Sequence, residues 1–347
     1  MRWLQWANVD LAKGLGGVEV HARRLAEELR GLGVEASLSH DPRDLSDPRW
    51  DVIHTHGSLL PHGRAMWEPA GKKLRARLGQ AGPLRIVTLH GSTWERMRAC
   101  GEYTWPGGYL AYAREVASVS AADLVCCVRE RVSLFRWALK IGKRGVVCGN
   151  GWDTAPSGMP SRLPPDLGPR LDEHGDFLFF VGRGADPVKG TDVLAEMLRR
   201  NTHLRLVAAP GEGFSPSPQI LETGRLDPTG VVALLRRARA VIAPSRYEGY
   251  SIVVLETLAE GVPIVVTEVG AVTELPKGLQ GVFVVKELRA DPLAQAVEQA
   301  YRLPNDPAAR QARAQVNRPL LLSWRNVAER CLSAAEPLVR ARGRARL

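Results

Sequence analysis

Short apolar runs alternate with amphipathic stretches along nearly the whole chain, and this alternation restricts the fold more than any other feature. Helical spacing is clear in Val18, Ala22, Leu25 and Leu29. The apolar runs are rich in β-branched and aromatic residues and predict strands at Trp3–Val9, Ala36–Ser39, Val52–Thr55, Arg85–Leu89, Leu124–Val128, Gly145–Cys148, Phe177–Val181, Leu204–Ala208, Ala240–Ala243, Ile264–Thr267 and Val282–Val285. Strands that alternate with helices predict an α/β fold with doubly wound parallel sheets.

A segment rich in Pro, Gly and Ser, near residues 150–175, divides the predicted strands into two comparable groups. The length of 347 residues suits two domains, because domains average roughly 150 residues. We therefore predict Rossmann-like domains at residues 1–155 and 156–320. The helical pattern from about Asn317 to Val339 runs into a basic tail, and residues 321–347 are predicted to be a C-terminal helix with that tail.

The chain is basic, with a formal net charge of +10. A nucleic acid, an anionic membrane surface and a diphosphate-bearing substrate all remain open as partners. No apolar run approaches the ~20 residues of a membrane-spanning helix, and the first residues lack a signal-peptide pattern. The five cysteines are odd in number and show no zinc spacing, so we expect a reduced, cytoplasmic setting.

Glycine and histidine follow the predicted strands of the first half. Gly16 and Gly17 precede the first helix, where backbone N–H groups could face an anion, although a plain tight turn explains them equally well. His56-Gly57 and His90-Gly91 end two further runs. A metal site needs three converging ligands, and no carboxylate or Cys at metal spacing accompanies these histidines, so we expect neither a metal ion nor any other cofactor.

Charged residues follow the strands of the second half. Arg183 and Lys189 bracket a glycine-containing turn, which suits a diphosphate because Arg binds two oxygens and Lys supplies a point charge. Glu248 is expected in a loop after a strand, just before a helix that begins near Ser251. Glu256 lies in an apolar helical run and needs a partner, for which ribose or sugar hydroxyls are suitable.

These motifs together resemble those of family 4 retaining glycosyltransferases of GT-B fold. The similarity extends over nearly the full length, and the spaced Arg/Lys pair followed by the two glutamates is its most specific part. The motifs that carry it are Gly14–Glu19, Asp51–Gly57, Thr88–Gly91, Val147–Asp153, Val181–Gly190, Pro244–Glu256, Leu258–Pro263 and Ser323-Trp324. The resemblance implies two Rossmann-like domains facing across a cleft, with a C-terminal helix that crosses back to the first domain.

The resemblance also implies roles for individual residues. Arg183 and Lys189 would hold the donor diphosphate, Glu248 would contact the donor sugar, and His90 would lie near the reacting centre; these four are the predicted catalytic residues. Glu256 would bind the ribose hydroxyls. Further donor contacts are expected from Gly16, Gly17, Asn150, Arg225, Leu226, Gly249, Tyr250 and Ser251, and acceptor contacts from Glu19, His56, Trp94 and Trp105.

The implied reaction transfers a sugar, with retention and without a metal ion, from a UDP- or GDP-sugar to a hydroxyl of a glycan, a lipid or a small molecule. The basic segment Arg129–Arg144 is read either as a solvated helix face or as a peripheral contact with the inner face of the membrane. Two rival functions stay open: a GT-B-fold sugar-nucleotide epimerase and a non-catalytic donor-binding subunit. Nucleic-acid binding lacks a recognisable motif, and an NAD-dependent enzyme lacks GxGxxG after the first strand.

Overall fold

The computed structural model describes residues 1–10, 16–57, 82–102, 106–152 and 163–343. The chain divides into two compact units. The first contains residues 1–151 together with the C-terminal residues 322–347, and the second contains residues 152–321. Each unit is built on its own six-stranded sheet, in which all strand pairs are parallel.

The sheet of the first unit has the strand order β2-β1-β3-β4-β5-β6. Its strands are β1 Arg2–Trp6, β2 Glu35–Ser39, β3 Val52–His56, β4 Leu84–Leu89, β5 Leu124–Cys127 and β6 Arg144–Val147. Within the described residues, the helices of this unit are α1 Gly17–Gly31, α2 Thr93–Cys100, α3 Pro106–Ala121, α4 Ser133–Lys140 and the C-terminal helix α11 Trp324–Arg340. Strand order changes direction between β1 and β3, and such a switch point is where open α/β sheets bind ligands.

The sheet of the second unit has the order β12-β11-β10-β7-β8-β9. Its strands are β7 Leu178–Gly182, β8 Leu206–Pro210, β9 Ile220–Glu222, β10 Ala240–Ala243, β11 Ile264–Thr267 and β12 Val282–Val285. Its helices are α5 Leu167–His174, α6 Thr191–Arg200, α7 Pro228–Arg237, α8 Ile252–Ala259, α9 Ala290–Arg302 and α10 Pro307–Asn317. Apolar side chains on both faces of this sheet pack against the helices, which is typical of a buried parallel sheet.

The observed elements depart from the predicted ones at several places. The short strand β9 was not predicted, because three residues carry too little periodicity to be seen in sequence. The predicted linker contains helix α5, whose Leu167 and Leu171 are buried in the core; residues 153–162 lie outside the described part. The helical pattern from Asn317 is interrupted, since α10 ends at that residue and α11 begins at Trp324.

The C-terminal helix α11 is part of the first unit and packs along α1. Ser323 and Asn326 form a capping box at its start, which satisfies backbone N–H groups that the first turn leaves unpaired. Trp324, Val327 and Cys331 are buried on one face of the helix. Among the described helices, none is long and apolar enough to cross a membrane.

Candidate active site

The predicted diphosphate and sugar residues of the second unit follow two neighbouring strands. Arg183 and Lys189 come after β7, and Glu248 comes after β10. β7 and β10 are paired in parallel at the position where the strand order of this sheet reverses. Because the carboxyl ends of parallel strands meet at one edge, the topology brings both loops to the switch point of the sheet.

Backbone and side-chain bonds shape the loop that carries Arg183 and Lys189. The Thr191 hydroxyl donates to the carbonyl of Gly184 at 2.7 Å, and the Asp186 carboxylate accepts from the N–H of Val188 at 3.1 Å. The Arg246 N–H donates to the carbonyl of Val188 at 2.7 Å, which ties this loop to the one after β10. The two loops therefore form one hydrogen-bonded structure.

Gly190 allows the same two loops to approach each other. Its φ is +65°, a left-handed conformation that favours glycine. A Cβ atom at this position would lie 2.0 Å from the carbonyl oxygen of Pro244. Any side chain would therefore push the Lys189 turn away from the end of β10.

Lys189 and Glu248 form an ion pair across the two loops, through Nζ and Oε1. The hydroxyl of Ser245 lies 3.3 Å from the same carboxylate oxygen. Both charged side chains are largely but not fully buried, at 22% and 20% exposure. The structure thus brings together the predicted phosphate-binding ammonium and the predicted sugar-binding carboxylate.

Arg183 lies at the same strand end in a different environment. Its side chain is 81% exposed, and its nearest acidic group is Asp186, with Nη2 3.5 Å from Oδ2. An exposed pair of this length contributes little to stability. The guanidinium can therefore turn towards an anionic ligand at low cost.

The helix after Glu248 begins as predicted, with Ser251 as the N-cap of α8. Tyr250 and Ser251 line a small pocket together with Glu248, and the Gly249 carbonyl is occupied by the N–H of Ala271 at 2.9 Å. Glu256 is half-buried one turn into the helix. The positive end of α8 thus lies beside the Glu248 loop, which favours an anion there.

Arg225 and Leu226, the residues predicted to contact the base, differ in exposure. Arg225 is exposed, whereas the Leu226 side chain is buried in the core of the second unit. Only the backbone of Leu226 is therefore available for a contact with a nucleotide. The signal in the sequence was a short polar loop, which does not distinguish an inward-facing leucine from an outward-facing one.

In the first unit, Gly16 is the N-cap of α1 and Gly17 its first residue. The side chain of Glu19 folds back over Gly16, so that a Cβ there would lie 2.4 Å from Glu19 Oε2. The carboxylate thus occupies the start of α1, where the helix dipole favours negative charge. The preceding residues 11–15, which include part of the predicted glycine loop, lie outside the described residues.

Three histidines from different elements meet at the carboxyl edge of the first sheet. His21 is on α1, His56 ends β3, and His90 follows β4. One ring nitrogen from each lies within 4.8 Å of those of the other two. His21 thus joins the two histidines that the sequence singled out, and it is a third converging nitrogen that the sequence did not predict. His21 lies on the buried stripe of α1 with Ala22 and Leu25, a signal that was present in the sequence.

Hydrogen bonds orient these rings. The Asn150 Oδ1 accepts from His21 Nδ1 at 2.7 Å, and the Gln5 Oε1 accepts from His56 Nε2 at 2.6 Å. His56 Nδ1 lies 3.2 Å from His90 Nε2. The amide group of Asn150, predicted to contact the donor, is therefore bonded to a histidine, and His56, predicted to contact the acceptor, lies buried beside the partly exposed His90.

The histidines of this edge are neutral at physiological pH. Burial lowers the pKa of His21 to about 4, against the opposing effect of its bond to Asn150. Burial, with a contribution from nearby histidines, lowers the pKa of His56 and of His90 well below the usual value. Neutral imidazoles keep a lone pair, so they can accept a proton, accept a hydrogen bond or bind a metal ion.

The remaining predicted residues of the first unit lie elsewhere. Trp94 packs with Tyr109 and Tyr112, with ring centroids 6.5 and 6.0 Å away, whereas Trp105 lies outside the described residues.

The basic segment Arg129–Arg144 is only partly exposed at the surface. Arg129 is buried and paired with Glu95 at 2.7 Å, and Phe135 is part of the core.

Comparison with known proteins decides the family. The model for glycosyl transferases group 1 matches residues 175–302, the part of the chain that carries Arg183, Lys189 and Glu248. The chain is 40% identical over 316 residues to glycogen synthase of Mycobacterium tuberculosis, an alignment that covers 82% of this chain and 68% of that protein. The chain belongs to the group 1 glycosyltransferases.

This glycosyltransferase is also similar to a second relative and to a solved structure. It is 30% identical over 283 residues to D-inositol 3-phosphate glycosyltransferase of Frankia alni, which covers 72% of this chain and 64% of that protein. Its structure matches sucrose-phosphate synthase from Thermosynechococcus elongatus with a TM-score of 0.74 and 16% identity, over 98% and 100% of the two chains. The predicted GT-B fold is therefore confirmed, and so is the prediction of a transferase.

Proposed function

We propose that this glycosyltransferase is a retaining enzyme of family 4. It transfers a sugar from a UDP- or GDP-sugar to a hydroxyl of a glycan, lipid-linked or small-molecule acceptor, and the transfer step uses no divalent cation. The observation that carries the proposal is the ion pair of Lys189 with Glu248 at the switch point of the second sheet. In this pair, a cation suited to phosphate lies beside a carboxylate suited to accept hydrogen bonds from sugar hydroxyls.

The chemistry requires stabilisation of the charge that develops on the leaving diphosphate. Arg183, Lys189 and the N-terminus of α8 supply positive charge at one strand edge, which is the function that a divalent cation serves in other phosphate chemistry. Glu248 in the loop before α8 orients the sugar, and Glu256 on α8 accepts hydrogen bonds from the ribose. In this account the departing phosphate oxygen receives the proton of the acceptor hydroxyl.

The acceptor side involves residues of the first unit. His90 is the partly exposed member of the histidine group and has a lowered pKa, so it can accept a hydrogen bond from a sugar hydroxyl. The half-buried Trp94 has the flat apolar surface that sugar rings stack on. The names of the two relatives, a glycogen synthase and an inositol-phosphate glycosyltransferase, favour a polyhydroxylated acceptor. Five free thiols fit a reducing, cytoplasmic location.

The decisive experiment is a thermal-shift panel of UDP-, GDP- and ADP-sugars with the wild type, Arg183→Ala and the control Arg199→Ala. Arg199 is exposed on α6 and has no assigned role. We expect a stabilising shift with one class of donor. The shift is lost in Arg183→Ala, retained in Arg199→Ala and unchanged by EDTA. Equal shifts in all three proteins would remove the diphosphate assignment.

Two rivals are separated by NMR with the same donor. An epimerase converts the donor sugar in the absence of an acceptor, and such conversion contradicts the transferase proposal. A binding subunit shows the thermal shift without turnover of any acceptor in a panel of α-glucans and inositol phosphates. Transfer with an α-configured product supports retention if the donor is α-linked.

A further inference from the structure

We propose that His21, His56 and His90 form a binding site for a divalent transition-metal ion of the zinc class. This inference is independent of the donor chemistry, because the residues differ from those predicted to hold the diphosphate. The metal ion takes no part in the proposed transfer step, although His90 is also the residue proposed to contact the acceptor. The site lies at the carboxyl edge of the first sheet, where α1, β3 and β4 end or begin.

The geometry of the ring nitrogens supports this site. His56 Nδ1 and His90 Nε2 are 3.2 Å apart. Two nitrogen ligands on one tetrahedral zinc ion, each at ~2.0–2.1 Å, lie about 3.3 Å from each other. The ligand nitrogen of His21 is within 4.8 Å of both, so the three rings must draw together by up to about 1.5 Å to complete a three-histidine set.

Hydrogen bonds on the far side of two rings leave the correct nitrogens available. Asn150 Oδ1 accepts from His21 Nδ1–H, which leaves the lone pair on Nε2. Gln5 Oε1 accepts from His56 Nε2–H, which leaves the lone pair on Nδ1. Metal-binding histidines usually donate their second N–H to an oxygen acceptor in this way, and the bond sets the tautomer and holds the ring.

The environment of His21 Nε2 indicates that this atom binds a ligand. It is buried and has no hydrogen-bond partner, although the other nitrogen of the ring is well bonded. A buried polar atom without a partner destabilises the fold, so native structures seldom retain one without a reason. A metal ion between the three rings would bind this lone pair.

The donor set selects the ion. Three neutral imidazoles are ligands for Zn²⁺, Co²⁺, Ni²⁺ or Cu²⁺, whereas Mg²⁺ and Ca²⁺ require oxygen ligands. Three histidines leave a fourth position for water, as in zinc sites of the open type.

The test uses Co²⁺ and Zn²⁺ as probes with the full chain and no sugar nucleotide. We expect one Co²⁺ per chain, with the visible absorption of a tetrahedral ion, and displacement of that absorption by one equivalent of Zn²⁺. His90→Gln removes the absorption, and so does His21→Gln. His203→Gln, which alters an exposed histidine of the second unit, leaves it unchanged.

His90→Gln carries the test if the buried His21→Gln variant does not fold, because His90 is partly exposed. A wild-type protein that retains no Co²⁺ or Zn²⁺ after desalting overturns the proposal. So does equal metal affinity in His90→Gln and His203→Gln. Both results are read without donor or acceptor, so they leave the proposed transfer reaction unaffected.

Asn150 tests the positioning of the first ligand. We expect Asn150→Ala to weaken Zn²⁺ binding about 10- to 100-fold, because the His21 ring loses the acceptor that holds it. Asn150→Asp restores the affinity, since a carboxylate oxygen accepts the same N–H bond. Unchanged Zn²⁺ affinity in Asn150→Ala would show that the bond to Asn150 does not position His21 as a ligand.

Discussion

Lys189 and Glu248 neutralise each other across two loops that follow adjacent strands, β7 and β10. A diphosphate that binds Lys189 must therefore draw the ammonium away from a carboxylate. The same exchange frees Glu248 to accept hydrogen bonds from sugar hydroxyls. Under the proposed function, a complete nucleotide sugar would satisfy both groups, whereas a nucleoside diphosphate would satisfy only the cation, so we expect the pair to favour the intact donor.

This pairing predicts opposite effects of Glu248→Gln on two measurements. The amide leaves Lys189 free and removes a negative charge, so the affinity for UDP or GDP in calorimetry rises about two- to fivefold. The rate of sugar transfer falls about 100-fold or more, because the carboxylate that positions the sugar is lost.

Glu260→Gln provides the matched control for this variant. Glu260 is paired with Arg236 at 2.9 Å and has no assigned role at the site. We expect nucleotide affinity and transfer rate to match the wild type. Weaker nucleotide binding in Glu248→Gln would contradict the competition between phosphate and carboxylate.

Gly190→Ala is predicted to destabilise the second unit and to weaken donor binding. Its left-handed φ alone costs about 1 kcal/mol with a side chain, and the contact of 2.0 Å with the Pro244 carbonyl adds a backbone shift of the Lys189 turn. Chemical denaturation should show a loss of about 2 kcal/mol or more. Gly142→Ala has a similar φ of +79° but nothing within 4 Å of the added atom, so it should lose only the conformational part. Equal losses in the two variants would show that the close approach is unimportant.

The raised pKa of Glu115 predicts that the stability of the protein depends on pH. Burial raises its pKa to about 7, against the hydrogen bonds from Thr93. A carboxyl with a raised pKa in the folded state favours folding while it is protonated. That contribution is complete below the unfolded pKa near 4.5 and is lost as the pH rises through about 7.

Glu115→Gln keeps an acceptor for Thr93 and cannot ionise. We therefore expect the wild type to lose about 1–3 kcal/mol relative to this variant between pH 5 and pH 8, a range already reduced for partial exposure. Denaturation at both pH values measures the difference. A constant difference between the two proteins would show that folding does not raise the pKa of Glu115.

The exposed apolar and basic side chains at helix α4 predict that the protein contacts anionic lipid through this helix. Trp137, Leu139 and Ile141 are exposed there, beside the exposed cations Arg136 and Lys140. We expect co-sedimentation with vesicles that contain anionic lipid, but not with neutral ones, because apolar insertion and charge attraction act together. The double change Trp137→Ser and Ile141→Ser should reduce binding about tenfold.

The control is Val284→Ser, which alters an exposed apolar residue of the second unit and should leave vesicle binding unchanged. A similar loss of binding in this control would show that helix α4 is not the specific lipid-binding face.

Much of the fold is encoded locally and could be predicted. Strands β10, β11 and β12 have the predicted bounds because apolar runs between turn residues reveal strands directly. The position of Ser251 at the start of α8 follows equally from its neighbours. Strand β9 and helix α5 were missed, since the first is too short to show periodicity and the second lies in a stretch dominated by Pro and Gly.

The sequence by itself determined the alternation of strands and helices, the two Rossmann-like halves and the residues at each strand end. These depend on periodicity and turn chemistry within a few residues. Only the tertiary structure decided that His21 meets Asn150, 129 residues away, and that Lys189 meets Glu248, 59 residues away. Such meetings depend on the order of strands in a sheet and on the packing of helices against it, and no local pattern contains that order.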